Sequence, residues 1–258
     1  MWFDGLARVM FVHAHPDDET ITTGGTLAAL AEAGREPLLV TLTRGERGEV
    51  RPGPFAHLQG TDGLAPHRQT ELAAALPMLG VERHAFLGVE PARAEGLSPT
   101  IYEDSGMSWG EHGRATAAAD ASPDALTRVP AVEALNDLLA AAYLAGAQAM
   151  VSYDAGGGYG HPDHVRAHQL ARAVAQALGI PFWEIVADAD PAPDEQREDH
   201  DISPWLDRKL AALRAHGTQL AVEDGADGFD IVHVGGQRHP VGRIESFRRL
   251  VPPEGLEG

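Results

Sequence analysis

The sequence predicts an α/β fold in which helices cover both faces of a doubly wound, mostly parallel sheet. Short apolar runs of strand length alternate along the chain with longer segments of helical character. This alternation is typical of βαβ units, whose strands lie parallel. Two of the apolar runs lead into segments rich in histidine and aspartate, at 13–19 and 159–164. Because parallel strands end at one edge of such a sheet, we expect a Rossmann-like architecture with a polar crevice at that edge.

The first half of the chain begins with an apolar run, 8–13, that has the length and composition of a buried central strand. A predicted helix, 22–33, follows it, and Gly34 is well placed as the C-terminal cap of this helix. The next predicted elements are a strand, a helix with a proline in its first turn, and a third strand: 37–43, 66–79 and 85–87.

The second half repeats the alternation, with helices at 132–144, 162–178 and 204–216 and strands at 147–153, 180–186 and 229–234. The segment 90–128 has no clear period, which is typical of a functional loop. The acidic segment 188–201 has no apolar stripe and is predicted to be a surface linker. We therefore expect a catalytic domain over 1–187. The remainder, 188–258, forms a small C-terminal extension in which the linker, a helix and a strand pack on the same domain.

The composition is that of an acidic globular protein without cysteine. The chain has 258 residues, 43% of them hydrophobic, and a formal net charge of −18. Such a charge repels nucleic acid and anionic membranes, and no run approaches the ~20 apolar residues of a membrane span. Without cysteine, a metal must bind nitrogen and oxygen donors. We expect a cytoplasmic protein with a small-molecule partner and neither nucleic acid nor membrane as partner; a homo-oligomer stays open.

The first polar segment, 13–19, reads HAHPDDE. His15 and Asp18 lie three residues apart across a turn, a spacing that suits two ligands of one ion. Asp17 lies between them and cannot easily bind the same ion. Its carboxylate can instead reach a water molecule at the ion and act as a general base.

The second polar segment, 159–164, reads YGHPDH. His164 can supply a third ligand, and His161, as an imidazolium, can face a substrate carbonyl. Asp163 can fix the tautomer or charge of a neighbouring imidazole, and Tyr159 can add a hydroxyl donor. Three ligands with one spare carboxylate are what a hydrolytic zinc centre needs. We predict one Zn²⁺ per chain, with Fe²⁺ as an alternative because it accepts the same donors.

The segments AHPDDE and GYGHPDH, each directly after a predicted buried strand, resemble those of the LmbE-like, or PIG-L, family of zinc-dependent N-acetylglucosaminyl deacetylases. The resemblance extends over about 8–220. It implies three zinc ligands, one general base and two groups that stabilise a tetrahedral oxyanion: His15, Asp18 and His164; Asp17; His161 and Tyr159.

Further stretches resemble the branch of this family that makes or processes mycothiol, an inositol-linked glucosamine thiol. They include TRGERGEV at 43–50 and KLAALRAHGTQ at 209–219. The resemblance implies four residues that line the sugar site: Glu49, Arg68, Asp104 and Met107. The chain departs from that branch at Glu103, where a basic residue is expected, and at 108–113. The sugar end of the substrate is therefore better supported than its aglycone, and a malate-linked glucosamine, as in the bacillithiol pathway, stays open.

Structural roles compete with functional ones for several residues beside these motifs. A packed core histidine is the favoured interpretation of His13, and a hydrogen-bonded structural histidine that of His168. Glu19 either accepts a hydrogen bond from a ligand histidine or caps the following helix. Without the resemblance, Arg68 would be interpreted as the exposed salt-bridge partner of Glu71.

The sequence thus predicts hydrolysis of the acetyl amide of an N-acetylglucosamine conjugate, inositol- or malate-linked, to a glucosamine amine and acetate. One alternative is an amidase of glucosaminyl-thiol conjugates, with the same zinc centre and a different acyl pocket in the 90–128 loop. A second alternative is a non-catalytic sugar-binding relative, although binding alone does not need Asp17 as a base.

Overall fold

The structure of the protein is a computed structural model that describes residues 1–109, 115–186, 195–226 and 228–250. The helices of this described part are Asp18–Glu32 (α1), Leu64–Leu79 (α2), Ala131–Ala145 (α3), Pro162–Leu178 (α4) and Leu206–Ala215 (α5). Its strands are Val9–His13 (β1), Leu38–Thr41 (β2), Arg83–Phe86 (β3), Met107–Trp109 (β4), Ala115–Ala117 (β5), Ala149–Ser152 (β6), Phe182–Val186 (β7), Arg197–Asp201 (β8), Leu220–Gly225 (β9), Gly228–His233 (β10), Arg238–Pro240 (β11) and Ile244–Leu250 (β12).

A seven-stranded sheet in the order β3-β2-β1-β6-β7-β12-β8 forms the centre of the molecule. The first five strands are parallel, whereas β12 pairs antiparallel with both β7 and β8. The strand order reverses between β1 and β6, which are hydrogen-bonded neighbours with Phe11 opposite Val151. The segments that follow these two strands therefore leave the sheet side by side, at the position where doubly wound sheets bind ligands. The predicted Rossmann-like fold class is confirmed.

The side chains of β1 alternate between two apolar cores. Met10 and Val12 pack in a cluster with residues of α3 and α4, whereas Val9 and Phe11 pack with residues of α1, α2 and α5. Because helices cover both faces, β1 is apolar throughout rather than alternating in polarity. The strand end that leads into the first polar segment is thus held from both sides.

The acidic segment 188–201 is not a linker over its whole length. Its residues 188–194 lie outside the described part of the chain, but 197–201 form the edge strand β8. The sequence Arg-Glu-Asp-His-Asp carries no apolar pattern because a sheet edge tolerates charged side chains, so its pairing with β12 could not be predicted from hydrophobicity.

Of two smaller sheets, the sequence reasoning predicted a single strand, 229–234, which corresponds to β10. The 90–128 segment, predicted as a loop, contains the antiparallel hairpin of β4 and β5, and its residues 110–114 are not described. Strands β9, β10 and β11 form a three-stranded antiparallel sheet, which packs on α5 through Leu213 and Ile231. These short strands depend on pairing partners that are fixed only by tertiary contacts.

A buried ion pair ties the last strand to the helices. Lys209 Nζ lies 2.7 Å from Glu245 Oε1, and the Glu245 carboxylate also accepts the backbone N–H groups of Gly25 at 2.9 Å and Thr26 at 2.8 Å. This pair connects α5, β12 and α1 in one network. Within the described residues, no helix has both the length and the hydropathy needed to cross a membrane.

Candidate metal centre

Three side-chain atoms from the two polar segments converge at the carboxyl edge of the sheet. Nδ1 of His15 lies 3.2 Å from Oδ2 of Asp18, and Nε2 of His164 lies 3.3 Å from the same oxygen and 3.4 Å from His15 Nδ1. Ligands bound tetrahedrally at about 2.0–2.1 Å from one zinc ion stand roughly 3.3–3.4 Å apart. The three atoms are therefore spaced as three ligands of one divalent ion. They leave the fourth coordination position of a tetrahedral site unfilled.

Hydrogen bonds on the far side of each imidazole direct the correct nitrogen toward this point. Nδ1 of His164 lies 3.2 Å from the carbonyl oxygen of Gly157, to which it can donate. Nε2 of His15 lies 3.3 Å from Oδ2 of Asp163, which also accepts the backbone N–H of Ser105 at 2.9 Å. Outer partners of this kind set the tautomer and orientation of ligand histidines. The imidazole that Asp163 orients is thus that of His15.

The group that could hold a metal is larger than the predicted trio. Possible ligand atoms of His15, His161 and His164 lie within 4.8 Å of one another, as do those of His15, Asp104, His161 and Asp163. Burial opposes charge on His15, but the neighbouring carboxylates of Asp104, Asp163 and Asp18 outweigh it and raise the pKa of His15 well above its ordinary value. A cation would find concentrated negative charge here.

Tyr153 is a site residue that the sequence reasoning missed. Its hydroxyl donates to Oδ2 of Asp18 at 2.7 Å and accepts the backbone N–H of Ala14 at 2.8 Å. Its ring stacks on His164, with centroids 4.0 Å apart and planes within 10°. The available signal was its position after β6, one residue beyond the strand and just before the glycine-rich loop.

Asp17 adopts an unusual backbone conformation beside the cluster. Its φ is 116° and its ψ is −32°, a region that residues with a side chain rarely adopt and that functional sites often contain. The side chain is buried. Burial raises the pKa of the Asp17 carboxyl to about 7, although the positive charge of Arg68 opposes this increase. A carboxyl group with such a pKa can exchange a proton near neutral pH.

Arg68 lies beneath this turn and is only 3% exposed. Its Nη2 lies 3.4 Å from Oδ1 of Asp17 and donates to the carbonyl oxygen of Pro16 at 2.6 Å. Its Nη1 donates to the carbonyl oxygen of Gly45 at 2.7 Å. The interpretation of Arg68 as an exposed partner of Glu71 is wrong, because both are buried and Glu71 accepts hydrogen bonds from Thr218. In this structure Arg68 contacts the predicted base, and its sugar-binding role stays a prediction.

His161 is oriented by the start of α4. Its Nδ1 accepts the backbone N–H of Asp163 at 3.2 Å, so this nitrogen carries no proton and Nε2 is the donor. Burial, together with the charges of His15 and His164, lowers the pKa of His161 to about 3. Both observations favour a neutral imidazole with one N–H to offer, and the charge of His161 beside a bound metal stays a prediction.

Tyr159 lies in the glycine-rich loop and is 63% exposed. Its ring centroid is 5.1 Å from that of His164 and 6.1 Å from that of His161. The loop reaches this position through Gly157 and Gly158, whose φ values of 71° and 65° disfavour residues with a side chain. The exposed phenol thus stands next to the buried histidines, at the side from which a substrate can approach.

The remaining predicted sugar-site residues differ in their distance from the centre. Asp104 is buried, with Oδ1 3.6 Å from Nε2 of His15 while accepting the backbone N–H of Gly106 at 2.8 Å. Glu49 and Met107 are exposed, on the loop before α2 and on β4 respectively. The structure therefore brings Asp104 to the histidine cluster, and the substrate contacts of Glu49 and Met107 stay predictions.

The neighbouring polar residues have structural partners. Nε2 of His13 lies 3.1 Å from Thr23 Oγ1, and Nδ1 of His168 lies 2.9 Å from the carbonyl oxygen of Tyr153. These contacts agree with the structural roles favoured for both histidines. Glu19 accepts the backbone N–H of Asp17 at 3.0 Å, so it braces the turn that carries the predicted base.

A buried cluster of histidine and aspartate at the reversal point of a doubly wound sheet defines a candidate metal-dependent hydrolase. A sequence model of the PIG-L family, described as GlcNAc-PI de-N-acetylase, matches residues 10–175. The chain belongs to this family.

Known proteins similar to this chain include two curated relatives of one name, 1D-myo-inositol 2-acetamido-2-deoxy-alpha-D-glucopyranoside deacetylase. The one from Kineococcus radiotolerans is 39% identical, over 85% of this chain and 71% of the relative. That from Actinosynnema mirum is 35% identical, over 97% of this chain and 94% of the relative. Among solved structures, the zinc-inhibited form of teicoplanin deacetylase Orf2 has a TM-score of 0.63 at 18% identity, covering 96% of this chain and 99% of that one. The last comparison supports the fold.

Proposed function

We propose that this protein is a metal-dependent N-deacetylase that hydrolyses the acetamide of an N-acetylglucosamine conjugate, giving a free glucosamine amine and acetate. The observation that carries the proposal is the triangle of His15 Nδ1, Asp18 Oδ2 and His164 Nε2, with sides of 3.2, 3.3 and 3.4 Å. The carboxylate of Asp17, on the residue between two of these ligands, is not a member of the triangle. It is therefore available for proton transfer.

The metal ligands in this proposal are His15, Asp18 and His164, and the ion is one Zn²⁺ per chain. Imidazole and carboxylate donors suit zinc, and the same donors suit Fe²⁺. When bound, such an ion would supply Lewis acidity toward a carbonyl oxygen and toward water. Metal analysis of the purified protein, together with reconstitution using each ion, decides between them.

The proton transfers in this proposal belong to Asp17. Its carboxylate takes a proton from the attacking water and returns it to the nitrogen of the leaving amine. A pKa of about 7, raised by burial, suits both steps near neutral pH. Arg68, 3.4 Å away, keeps the carboxylate oriented through both transfers.

The developing oxyanion faces His161 and Tyr159 in this scheme. Because Nδ1 of His161 accepts a backbone N–H, its Nε2–H is directed away from α4 and can donate to the oxyanion. The exposed phenol of Tyr159 can add a second donor. Asp163 acts indirectly, because it orients the His15 ring.

The substrate that we propose is the inositol conjugate of N-acetylglucosamine. Support comes from the names of the two curated relatives, which are 39% and 35% identical over most of this chain. The predicted sugar-site residues Glu49, Arg68, Asp104 and Met107 would contact the glycan, with Asp104 nearest to the cluster at 3.6 Å from His15.

Acetate release tests the proposal directly. The panel is N-acetylglucosamine, its inositol conjugate, its malate conjugate and a cysteinyl amide of the glucosamine conjugate, with metal content measured on the same sample. We expect the inositol conjugate to give the highest kcat/KM. Preference for the malate conjugate would change the aglycone, and cleavage of the cysteinyl amide without acetate release would identify an amidase. No acetate release and no amide cleavage from any of the four compounds, with metal bound, would refute the proposed deacetylase activity.

A further inference from the structure

The strained backbone of Asp17 is held by a second network, separate from Arg68. The backbone N–H of Asp17 donates to Oε2 of Glu19 at 3.0 Å. A residue with φ of 116° persists only where surrounding contacts over-determine its conformation. The position of the Glu19 carboxylate therefore bears directly on the position of the proposed base.

Glu19 is completely buried and is shared between three donors. Its Oε1 accepts the hydroxyl of Thr20 at 2.5 Å and lies 3.3 Å from Nε2 of His216. His216 is only 1% exposed. A buried carboxylate needs such partners, because burying it without them is strongly unfavourable. The His216 imidazole is the partner that comes from a distant part of the chain, 197 residues along from Glu19.

The turn that carries His216 is itself fixed to α2. Thr218 donates its backbone N–H to Oε1 of Glu71 at 2.8 Å and its hydroxyl to Oε2 of Glu71 at 2.6 Å. The carbonyl oxygen of His216 accepts the backbone N–H groups of Gln219 and Leu220, both at 3.0 Å. Since Glu71 follows Arg68 by three residues on α2, one helix supports both contacts to the Asp17 turn.

We propose that His216 is a positioning residue for Asp17, acting through the Glu19 carboxylate. Removal of the imidazole leaves Glu19 free to turn away from the Asp17 amide, so the strained turn relaxes and the base moves away from the reacting water. This inference rests on the proposed role of Asp17 as general base. His216 follows α5, so the inference links the C-terminal part of the chain to proton transfer at Asp17 through Glu19.

The chain offers a matched control for this histidine. His200 is also fully buried, with Nδ1 3.1 Å from Thr26 Oγ1 and Nε2 3.5 Å from Glu198 Oε2. His216 likewise has a threonine and a glutamate beside it, because its Nε2 lies 3.2 Å from Thr20 Oγ1 and 3.3 Å from Glu19 Oε1. The His200 ring stacks on Trp2 at 4.0 Å, away from the Asp17 turn. Loss of either imidazole removes similar packing, but only His216 is connected to Asp17 through the contacts described above.

The test compares His216→Leu, His216→Gln and His200→Leu for kcat, KM, bound metal and thermal stability. We expect His216→Leu to lower kcat roughly 10- to 100-fold, the size of effect that an ångström-scale misplacement produces, with KM and metal content unchanged. His216→Gln, which keeps an N–H donor near the Nε2 position, should recover most of kcat. His200→Leu should lose stability but keep kcat. A folded His216→Leu with the kcat of His200→Leu, or a His216→Gln as slow as His216→Leu, would overturn the proposal.

Hydrogen exchange at the Asp17 amide gives a readout that does not depend on the substrate. We expect this amide to exchange faster in His216→Leu than in wild type, and at the wild-type rate in His200→Leu under conditions of equal global stability. An unchanged exchange rate of the Asp17 amide in His216→Leu would show that the imidazole does not hold this turn, and would overturn the inference. If the wild-type enzyme releases no acetate from any compound of the panel, the proposed function is refuted. The exchange rates would still decide whether His216 holds the Asp17 turn.

Discussion

Nη2 of Arg68 lies 3.4 Å from the Asp17 carboxylate and 2.6 Å from the carbonyl oxygen of Pro16, the residue just before it. One buried guanidinium therefore holds both the side chain of the proposed base and the backbone that leads into it. The planar fork of arginine also places Nη1 2.7 Å from the carbonyl oxygen of Gly45, a third contact that the single nitrogen of a lysine ammonium could not reach at the same time. Activity should accordingly depend on the fit of this side chain as well as on its charge.

Substitution of Gly45 tests that fit. Gly45 has φ of 66°, and a Cβ at this position would collide with the Arg68 guanidinium. Gly45→Ala should lower kcat about 10-fold or more by displacing Arg68 from Asp17. Gly60 has the same φ of 66° with no atom within 4 Å of its would-be Cβ, so Gly60→Ala carries the same backbone strain without the collision. Equal kcat in the two variants would contradict the role assigned to Arg68.

Replacement of Asp17 by asparagine removes the proton acceptor and keeps the shape of the side chain. General bases contribute about 10²- to 10⁴-fold to rates, so we expect a fall in kcat of that order. Metal content, measured by elemental analysis, should stay at the wild-type level because Asp17 is not one of the three converging ligands. Loss of metal from Asp17→Asn would identify Asp17 as a ligand.

Two histidines one turn apart on α4 separate the metal assignments. His164→Ala should lose bound metal, because its Nε2 forms one corner of the ligand triangle. His168→Gln should keep the bound metal, because Nδ1 of His168 lies 2.9 Å from the carbonyl oxygen of Tyr153 and is hydrogen-bonded to the backbone. Metal loss from His168→Gln with metal retained in His164→Ala would reverse the assignment.

The hydroxyl of Tyr153 should tune metal affinity through Asp18. Removing an outer partner of a ligand typically weakens metal binding about 10- to 100-fold, and we expect this range for Tyr153→Phe in a competition titration with a chelator. Tyr102 is a matched control, since it is also buried and donates to Asp137 at 2.7 Å. Tyr102→Phe removes an equivalent hydrogen bond while leaving the Asp18 contacts in place, so its metal affinity should match that of wild type.

Stability at low pH should depend on His84. Burial lowers the pKa of His84 from 6.5 to about 4. Between pH 6.5 and about 4, His84 is therefore protonated in the unfolded chain but not in the folded protein. The free energy of unfolding therefore falls as the pH drops from 6.5 to about 4 and does not change further from this cause above pH 6.5. His84→Gln should lose less stability over this interval in urea titrations, whereas His57→Gln, at an exposed position, should follow wild type. Parallel curves for wild type and His84→Gln would contradict the expectation.

Sequence reasoning was strongest where one local pattern reported one physical environment. The buried strands β1, β2, β6 and β7 were predictable because continuous apolar runs flanked by glycine or polar turns have few other interpretations. The edge strand β8 and the short strands β4, β5, β9 and β11 were missed, whereas β10 was predicted as 229–234. Charged or exposed strands are defined by their pairing partners rather than by hydrophobicity.

Within the candidate site, the predicted ligands are those with a local signature, HAHPDDE and YGHPDH. Tyr153 and His216 have no such signature, because the groups they contact lie 135 and 197 residues away along the chain. The charge of His161 likewise had no local signal in the sequence. The neutral state that the structure favours depends on burial, on the hydrogen bond accepted from Asp163 and on the nearby His15 imidazole, and only the folded arrangement fixes these.

The sequence by itself determined the α/β class, the family and the two polar segments, because strand burial and short-range spacing are encoded in adjacent residues. Only the tertiary structure decided that Asp163 orients His15, that Tyr153 bonds to Asp18, and that Arg68 and Glu19 hold the Asp17 turn. Apart from the local contact between Glu19 and Asp17, these contacts join segments far apart in the chain, so they exist only once the sheet has placed β1 beside β6 and α2 beneath the turn that follows β1. The local sequence motifs thus identify the reactive residues, and long-range packing fixes their orientation, tautomer and charge.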